Sequence, residues 1–362
     1  VNRIVKHAAT VTGALGLLVA ATACSGRGPK GETVDLPIAT TIAVKPADAR
    51  AKAIVATATA FLATLSEAQR KAVVYAFDDN AQRARWSNFP VSFVERGGIM
   101  RRDLTVAQKA ALDALLGQVL SERGVRNARM QMAADDALVG GPGPGADFGS
   151  QFYYVAFLGQ PSVAKPWMFQ FGGHHLAINV TFVGPEASFS PMLTGGQPLT
   201  IRYEGRKVYI TREEVDAAQA LLASLNPAQR KAAVLGDQPI QLLLGPGEHG
   251  TTVAAEGVRG ADLTAAQQAL LLAVVQARVG QFNARDAQAK MAAVRADLQQ
   301  TTFGWWGPQD QPGAAYFRIT GPRIVQEYAP QHMGDDDPTE HDHSMYRDPA
   351  NDYGAAWVAA RK

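Results

Sequence analysis

Imidazoles are the side chains of this sequence best suited to chemistry, and they are clustered. Seven histidines occur. His174 and His175 are adjacent within Gly172-Gly173-His174-His175-Leu176. His341 and His343 stand two apart in Asp337-Pro338-Thr339-Glu340-His341-Asp342-His343, with His332 nearby. In extended chain, residues i and i+2 project to the same side, so His341 and His343 suit two ligand positions on one metal ion. Imidazole nitrogen suits zinc, copper, iron or nickel, and neighbouring carboxylates add harder oxygen ligands. Residues 335–352 hold seven acidic residues and one arginine, a local charge near −6, so a solvated acidic loop is the alternative reading of this tail.

The 174/175 pair falls between two expected strands, where glycines permit a tight turn. If both histidines are extended, their rings point to opposite faces and only one can serve a given site. In the plainer reading, one ring packs and the other hydrogen-bonds a loop. Arg347 can fork onto a carboxylate or phosphate; its simpler role is a bridge to Asp348 or Asp352. Glu248-His249 lies in a Gly/Pro-rich loop expected at the surface. Met130 and Met132 fall in an expected helix, where core packing is the usual use of methionine. Trp305 and Trp306 suit either a sugar platform or a turn anchor. No P-loop, G-x-G-x-x-G, G-x-S-x-G, H-E-x-x-H or C-x-x-C occurs.

The elements that must position these groups repeat. Residues 65–72 (LSEAQRKA) recur as 225–232 (LNPAQRKA), 160 later, and 103–108 (DLTVAQ) recur as 262–267 (DLTAAQ), 159 later. Met132 matches Met291 at the same offset, and Tyr154 and Gly159 match Tyr316 and Gly321 at 162. Each copy reads as helices first. Ser66 and Asn226-Pro227 cap one helix, and Thr105-x-x-Gln108 and Thr264-x-x-Gln267 are capping boxes for the next. Leu112, Leu115, Leu116 and Val119 then form a buried stripe. A fourth helix is expected over about 126–138 and 282–299. Strands are expected at 152–158, 167–171, 176–183 and 315–319, with a hairpin over 201–211 turning at Glu204-Gly205. Helices followed by antiparallel strands give an α+β fold, two copies of one unit in a pseudo-twofold arrangement.

Composition bounds the function. The chain has 362 residues, 47% hydrophobic and 19% charged, which excludes a wholly disordered chain. Mean hydropathy is −0.09, with only one long apolar run, so a bundle of membrane spans is excluded. Residues 1–23 read as a lipoprotein signal: Arg3 and Lys6, an apolar stretch over 11–21, then small residues before Cys24, the only cysteine. Cys24 would carry the lipid anchor, placing an extracytoplasmic protein on a bacterial membrane. Residues 24–45 form a tether, 46–211 the first unit, and 212–362 the second with the acidic His-containing segment. Without Arg3 and Lys6, the 35 Lys+Arg fall to 33, equal to the 33 Asp+Glu, leaving no electrostatic case for nucleic acid.

Several motifs together resemble the domain of unknown function 3500 family: Arg85-Trp86-x-x-Phe89-Pro90, Arg96-Gly97-Gly98, Asp103-Leu104, Phe171-Gly172-Gly173-His174-His175-Leu176, and His341-x-His343-Ser344-x-x-Arg347-Asp348-Pro349-x-Asn351-Asp352-Tyr353-Gly354. The resemblance covers about 50–358. It implies that the paired histidines and the H-x-H tail belong to one pattern. The expectation is a divalent transition metal, zinc or copper, held by His341, His343 and one of His174 or His175. Glu340 or Asp348 would hold a ligating imidazole in orientation or act as general base, and Arg347 would orient an anionic group, as in a hydrolase or oxidoreductase. The alternative is a non-catalytic envelope module binding carbohydrate or peptide in a groove between the copies, with Trp305 as platform.

Overall fold

The structure is a computed structural model and describes residues 32–140, 147–331, 337 and 339–360. The segment expected to be a signal, Cys24, His332 and most of the Gly/Pro loop at 140–145 lie outside the described residues.

The elements of the described residues run from helix α1 (Ala49–Thr64) through α2 (Glu67–Val73), strand β1 (Val74–Tyr75) and α3 (Asn80–Arg83) to β2 (Ile99–Met100). Helices α4 (Val106–Val119) and α5 (Glu122–Asp136) follow. Seven strands come next: β3 (Tyr154–Leu158), β4 (Trp167–Gly173), β5 (Leu176–Val183), β6 (Glu186–Ser188), β7 (Met192–Gly196), β8 (Thr200–Tyr203) and β9 (Arg206–Tyr209). The second half runs α6 (Arg212–Ser224), α7 (Pro227–Ala233), β10 (Val234–Gly236), β11 (Val258–Arg259), α8 (Ala265–Val279) and α9 (Ala284–Ala296). It ends with β12 (Thr302–Trp306), β13 (Tyr316–Gly321), β14 (Ile324–Pro330), β15 (Asp342–Arg347) and α10 (Ala355–Val358).

The helix starts follow the capping chemistry. Ser66, Thr105, Asn226 and Thr264 each accept from the backbone N–H three residues on, and the glutamine there reaches back, so all four boxes are closed. Each box satisfies two backbone donors that the helix leaves unpaired; losing the cap costs ~1 kcal/mol. The glutamines also tie helix to helix, and do so twice. Gln108 donates to Thr64 O and Gln69 Oε1, while Gln267 donates to Ser224 O and Gln229 Oε1. Gln69 donates to Asp103 O as Gln229 donates to Asp262 O.

Among the described residues thirteen strands form one sheet in the order β1-β3-β4-β5-β7-β15-β14-β13-β12-β10, with β2, β6 and β11 off that path. β1 runs parallel to β3, and β10 runs parallel to β12; β7 and β15 meet antiparallel at the middle. The α4 stripe at Leu112, Leu115, Leu116 and Val119 is buried, as expected, and joins Phe157, Phe169, Leu271 and Val275 in the main core. The opposite sheet face is covered by extended chain, where Trp86 packs on Ala177, Leu193 and Met345, and Val34 and Leu36 pack with Leu158, Met168 and Val358. Residues 32–45 are therefore not a free tether over their whole length: Glu32, Val34 and Leu36 are buried.

The strand anchors of the sequence comparison are corrected. Tyr154 opens β3 whereas Tyr316 opens β13, and β3 has the place in the sheet that β12 has on the other side. The start of α4 precedes that of α8 by 265 − 106 = 159 residues, but β3 precedes β12 by only 302 − 154 = 148. The longer connection between α5 and β3 breaks the constant offset. Trp305 lies in β12 rather than in a turn, and at 2% exposure it cannot serve as a platform. The hairpin turn at Glu204-Gly205 is present, with φ of 49° and 76°.

Candidate metal centre

β4 and β5 pair up to Gly173 opposite Leu176, so His174 and His175 form the two-residue turn between them. His175 has φ of 55°, a left-handed conformation that costs a non-glycine residue ~1 kcal/mol. Tyr153 packs where a Cβ on Gly173 would sit, 3.0 Å from its ring, and donates its hydroxyl to His174 O at 2.7 Å. His175 N–H donates to Asn88 O at 3.2 Å. These contacts hold the turn in its strained form. The extended alternative for the two histidines is replaced by a turn whose rings stack at 3.8 Å.

The other two histidines come from the middle of the sheet. β15 lies between β14 and β7, and His343 pairs with Ala329 on one side and Gly195 on the other. A Cβ at Gly195 would meet Asp342 O at 2.3 Å, so glycine lets the strands close here. The tail from His341 to Asp348 is buried sheet and its continuation, not a solvated acidic loop. A run of charges reads as solvated only if the backbone stays at the surface; here hydrogen bonding on both edges draws it inward.

His175, His341 and His343 converge. His175 Nε2 is 3.0 Å from His341 Nε2, and one nitrogen from each ring can be chosen so that all three lie within 4.8 Å of one another. For comparison, two nitrogens at tetrahedral zinc, each bonded at 2.0–2.1 Å, stand about 3.3 Å apart. All three rings are buried. Burial, reinforced by the neighbouring imidazoles, holds His175 and His341 well below the ordinary histidine range and His343 at about 3. The cluster is therefore neutral at pH 7, the state in which imidazole binds metal. The Nδ1 atoms of His341 and His343 are buried with no hydrogen-bond partner among the described residues, which is costly unless something else engages those rings.

Supporting residues fix the arrangement. The Asn88 amide sits 3.3 Å from His343 Nε2. Arg96, buried and brought down to about 9 by desolvation, donates to Ser87 O and Phe89 O at 2.8 Å, locking the chain on either side of Asn88. Trp86 Nε1 donates to Tyr353 OH at 2.6 Å. His174 stands beside the triad rather than in it. Its Nδ1 meets Asp135 Oδ1 at 2.7 Å, and Asp135 Oδ2 accepts from Gly149 N.

The remaining expected site residues are engaged elsewhere. Glu340 accepts from Thr200 N at 2.8 Å and from its hydroxyl. Arg347, four residues beyond His343 and so about 13 Å along the strand, pairs with Glu32 at 2.9 Å and Asp352 at 2.7 Å. It also donates Nε to Leu244 O. Asp348 pairs with Lys290. His249 is no free surface group: its Nδ1 is 2.9 Å from Asp352 Oδ2, in the same network as Arg347. Met132 is core, as expected. Sequence reasoning named Arg96 within a motif without giving it a role, and missed Asn88 and Asp135. Asn88 falls at an unspecified position of Arg85-Trp86-x-x-Phe89, and Asp135 is one acid among several on a helix, so neither carries a local signal.

The neutral triad has a consequence in acid. Between pH 6.5 and about 3, His343 of an unfolded chain binds a proton that the native ring excludes. Stability therefore falls with falling pH by about 1.4 kcal/mol per unit for that ring, and above pH 7 there is no such penalty. Asp342, pushed up to about 7 by burial, acts in the opposite direction, because its native state takes up a proton first. The histidine contribution is isolated by difference. In metal-free protein, urea unfolding of His343→Leu against wild type should show a stability gap that is constant above pH 7. Below pH 6.5 the gap should shift in the variant's favour by about 1.4 kcal/mol per unit. A gap independent of pH from 7 to 4 contradicts a neutral, buried His343.

The model of the family described as protein of unknown function (DUF3500) matches residues 47–355. No curated protein and no solved structure matches the chain.

Proposed function

We propose that this chain, which belongs to the DUF3500 family, binds one divalent transition-metal ion, zinc or copper, through His175, His341 and His343. The observation that carries the reading is the convergence of three buried, neutral imidazoles, two of them with an Nδ1 that has no partner among the described residues. No carboxylate joins the cluster among the described residues, so the donor set is all nitrogen, which suits zinc or copper better than magnesium or calcium. Three imidazoles leave a fourth coordination position, where a bound ion activates water or cycles electrons. Asn88 and the His174–Asp135 pair stand beside the cluster to orient what binds there. Arg347 and Asp348, held in ion pairs away from it, are assigned structural parts instead.

The reading extends to setting and origin. An exported lipoprotein anchored through Cys24 follows from the signal-like residues 1–23 and the lone cysteine. Two copies of one unit are supported by the duplicated capping boxes and glutamine bridges and by the matched strand order on either side of β7 and β15. The purified chain should contain, or take up on titration, one equivalent of zinc or copper, with a rise in melting temperature at saturation. Absence of both bound metal and any shift on titration sinks the metal reading.

A further inference from the structure

A deep cleft lies on the other side of the sheet from the histidines and is not explained by them. It measures about 870 Å³ and opens between α5, the β8–β9 hairpin and the start of α6. Pockets that hold small organic molecules run from about 300 to 1,000 Å³.

Its floor is polar and deep. Thr194 of β7, Thr211 and Glu214 line it, each more than nine-tenths buried. Asn127 and Gln281 add a wall of paired amides, 3.0 Å apart. The Glu214 charge is matched from beneath by Arg278 at 2.8 Å. At the rim, Arg123 is matched by Glu213 at 2.6 Å. Arg126 and Lys207 line the same cleft from α5 and β9, and neither has an ion-pair partner among the described residues. Arg212, whose only ion pair there is an exposed contact of 3.4 Å with Asp216, adds a third cation against the single remaining acid, Glu122. Met130, Val208 and Ile210 supply apolar wall.

From this arrangement we infer that the cleft is a second binding site, for a small organic anion: a carboxylate, phosphate or sulfonate on a partly apolar body. The anionic group would lie between Arg126 and Lys207, where unpaired cations favour charge-assisted hydrogen bonds. The apolar part would rest on Met130 and Val208, and hydroxyl or amide groups would meet the floor. The site is independent of the metal, since His343 and Thr194 lie on opposite faces of the paired strands.

The probe is 8-anilino-1-naphthalenesulfonate, titrated by fluorescence into the full chain, beside its uncharged relative N-phenyl-1-naphthylamine. Arg126 and Lys207 are both exposed, so Arg126→Glu/Lys207→Glu should keep the wild-type circular dichroism and a cooperative melt. Wild type should bind the sulfonate at one saturable site. The double variant should bind it roughly tenfold or more weakly, and wild type should prefer it over the uncharged relative by a similar factor. The inference is overturned if no saturable site appears, if the variant binds the sulfonate as wild type does, or if the uncharged relative binds equally well.

Discussion

Replacing His343 by alanine should abolish stoichiometric metal binding. Loss of a partner that merely orients a ligand costs ten- to a hundredfold in metal affinity, so loss of a ligand itself should weaken binding by more than about 100-fold. The same result is expected for His341→Ala. His175 allows a cleaner test. Its φ of 55° is strained for histidine and costs glycine nothing, so His175→Gly should keep the turn while removing the ligand atom. Metal loss in a variant that still melts cooperatively separates coordination from folding. His174→Ala serves as the contrast. Its Nδ1 belongs to Asp135, so the variant should retain one equivalent of metal, with affinity lowered by about tenfold at most. Metal content of the four purified variants, with calorimetric titration of zinc and copper, decides the matter. If His174→Ala loses the ion and His341→Ala keeps it, the ligand assignment is wrong.

How far the sequence reached follows from how local each signal was. Helix starts were legible because a cap is read from a few consecutive residues: the boxes at Thr105 and Thr264 closed as expected, and the caps at Ser66 and Asn226 proved to be boxes as well. The α4 stripe was legible because its period is that of the helix. The hairpin turn at Glu204-Gly205 was legible because glycine suits the positive φ of 76° at its second position, although Glu204 takes a φ of 49° against its type. Sheet order was not, since pairing β7 with β15 joins Thr194 to Ser344, 150 positions later, and no local pattern encodes that contact. The acidic tail misled for the same reason. Asp342 and Asp348 look solvated in one dimension, yet they are buried once β15 takes the centre of the sheet. Trp305 misled through its glycine neighbours, which suggest a turn but lie in β12. The histidines were found because two short motifs concentrate a rare residue. Their meeting is a tertiary fact, produced by a turn at one end of β4 and a strand that returns beside β7.

The largest effect on stability is expected at the centre of the sheet. Arg278 of α8 is fully buried and pairs with Glu214 of α6 at 2.8 Å. It also donates to Thr194 of β7 and Ser344 of β15. Glu214 in turn accepts from Gln326 at 2.8 Å and from Ser344 at 2.9 Å. One ion pair thus fastens two helices from the second half to the two strands at which the halves join. Arg278→Met fills similar space but leaves a buried carboxylate without its cation, which should cost about 3–5 kcal/mol. Removing both charges, in Arg278→Met/Glu214→Leu, should recover much of that loss, because the desolvation of the pair is no longer required. Urea unfolding of the two single variants and the double gives the coupling directly. A single-variant loss under about 1 kcal/mol means the pair is solvated after all. The metal reports on the same contact. Ser344 follows His343 in β15, so a strand loosened at Ser344 displaces the imidazole beside it. Arg278→Met should therefore bind metal more weakly than wild type although it touches no ligand, and the double variant should regain affinity along with stability.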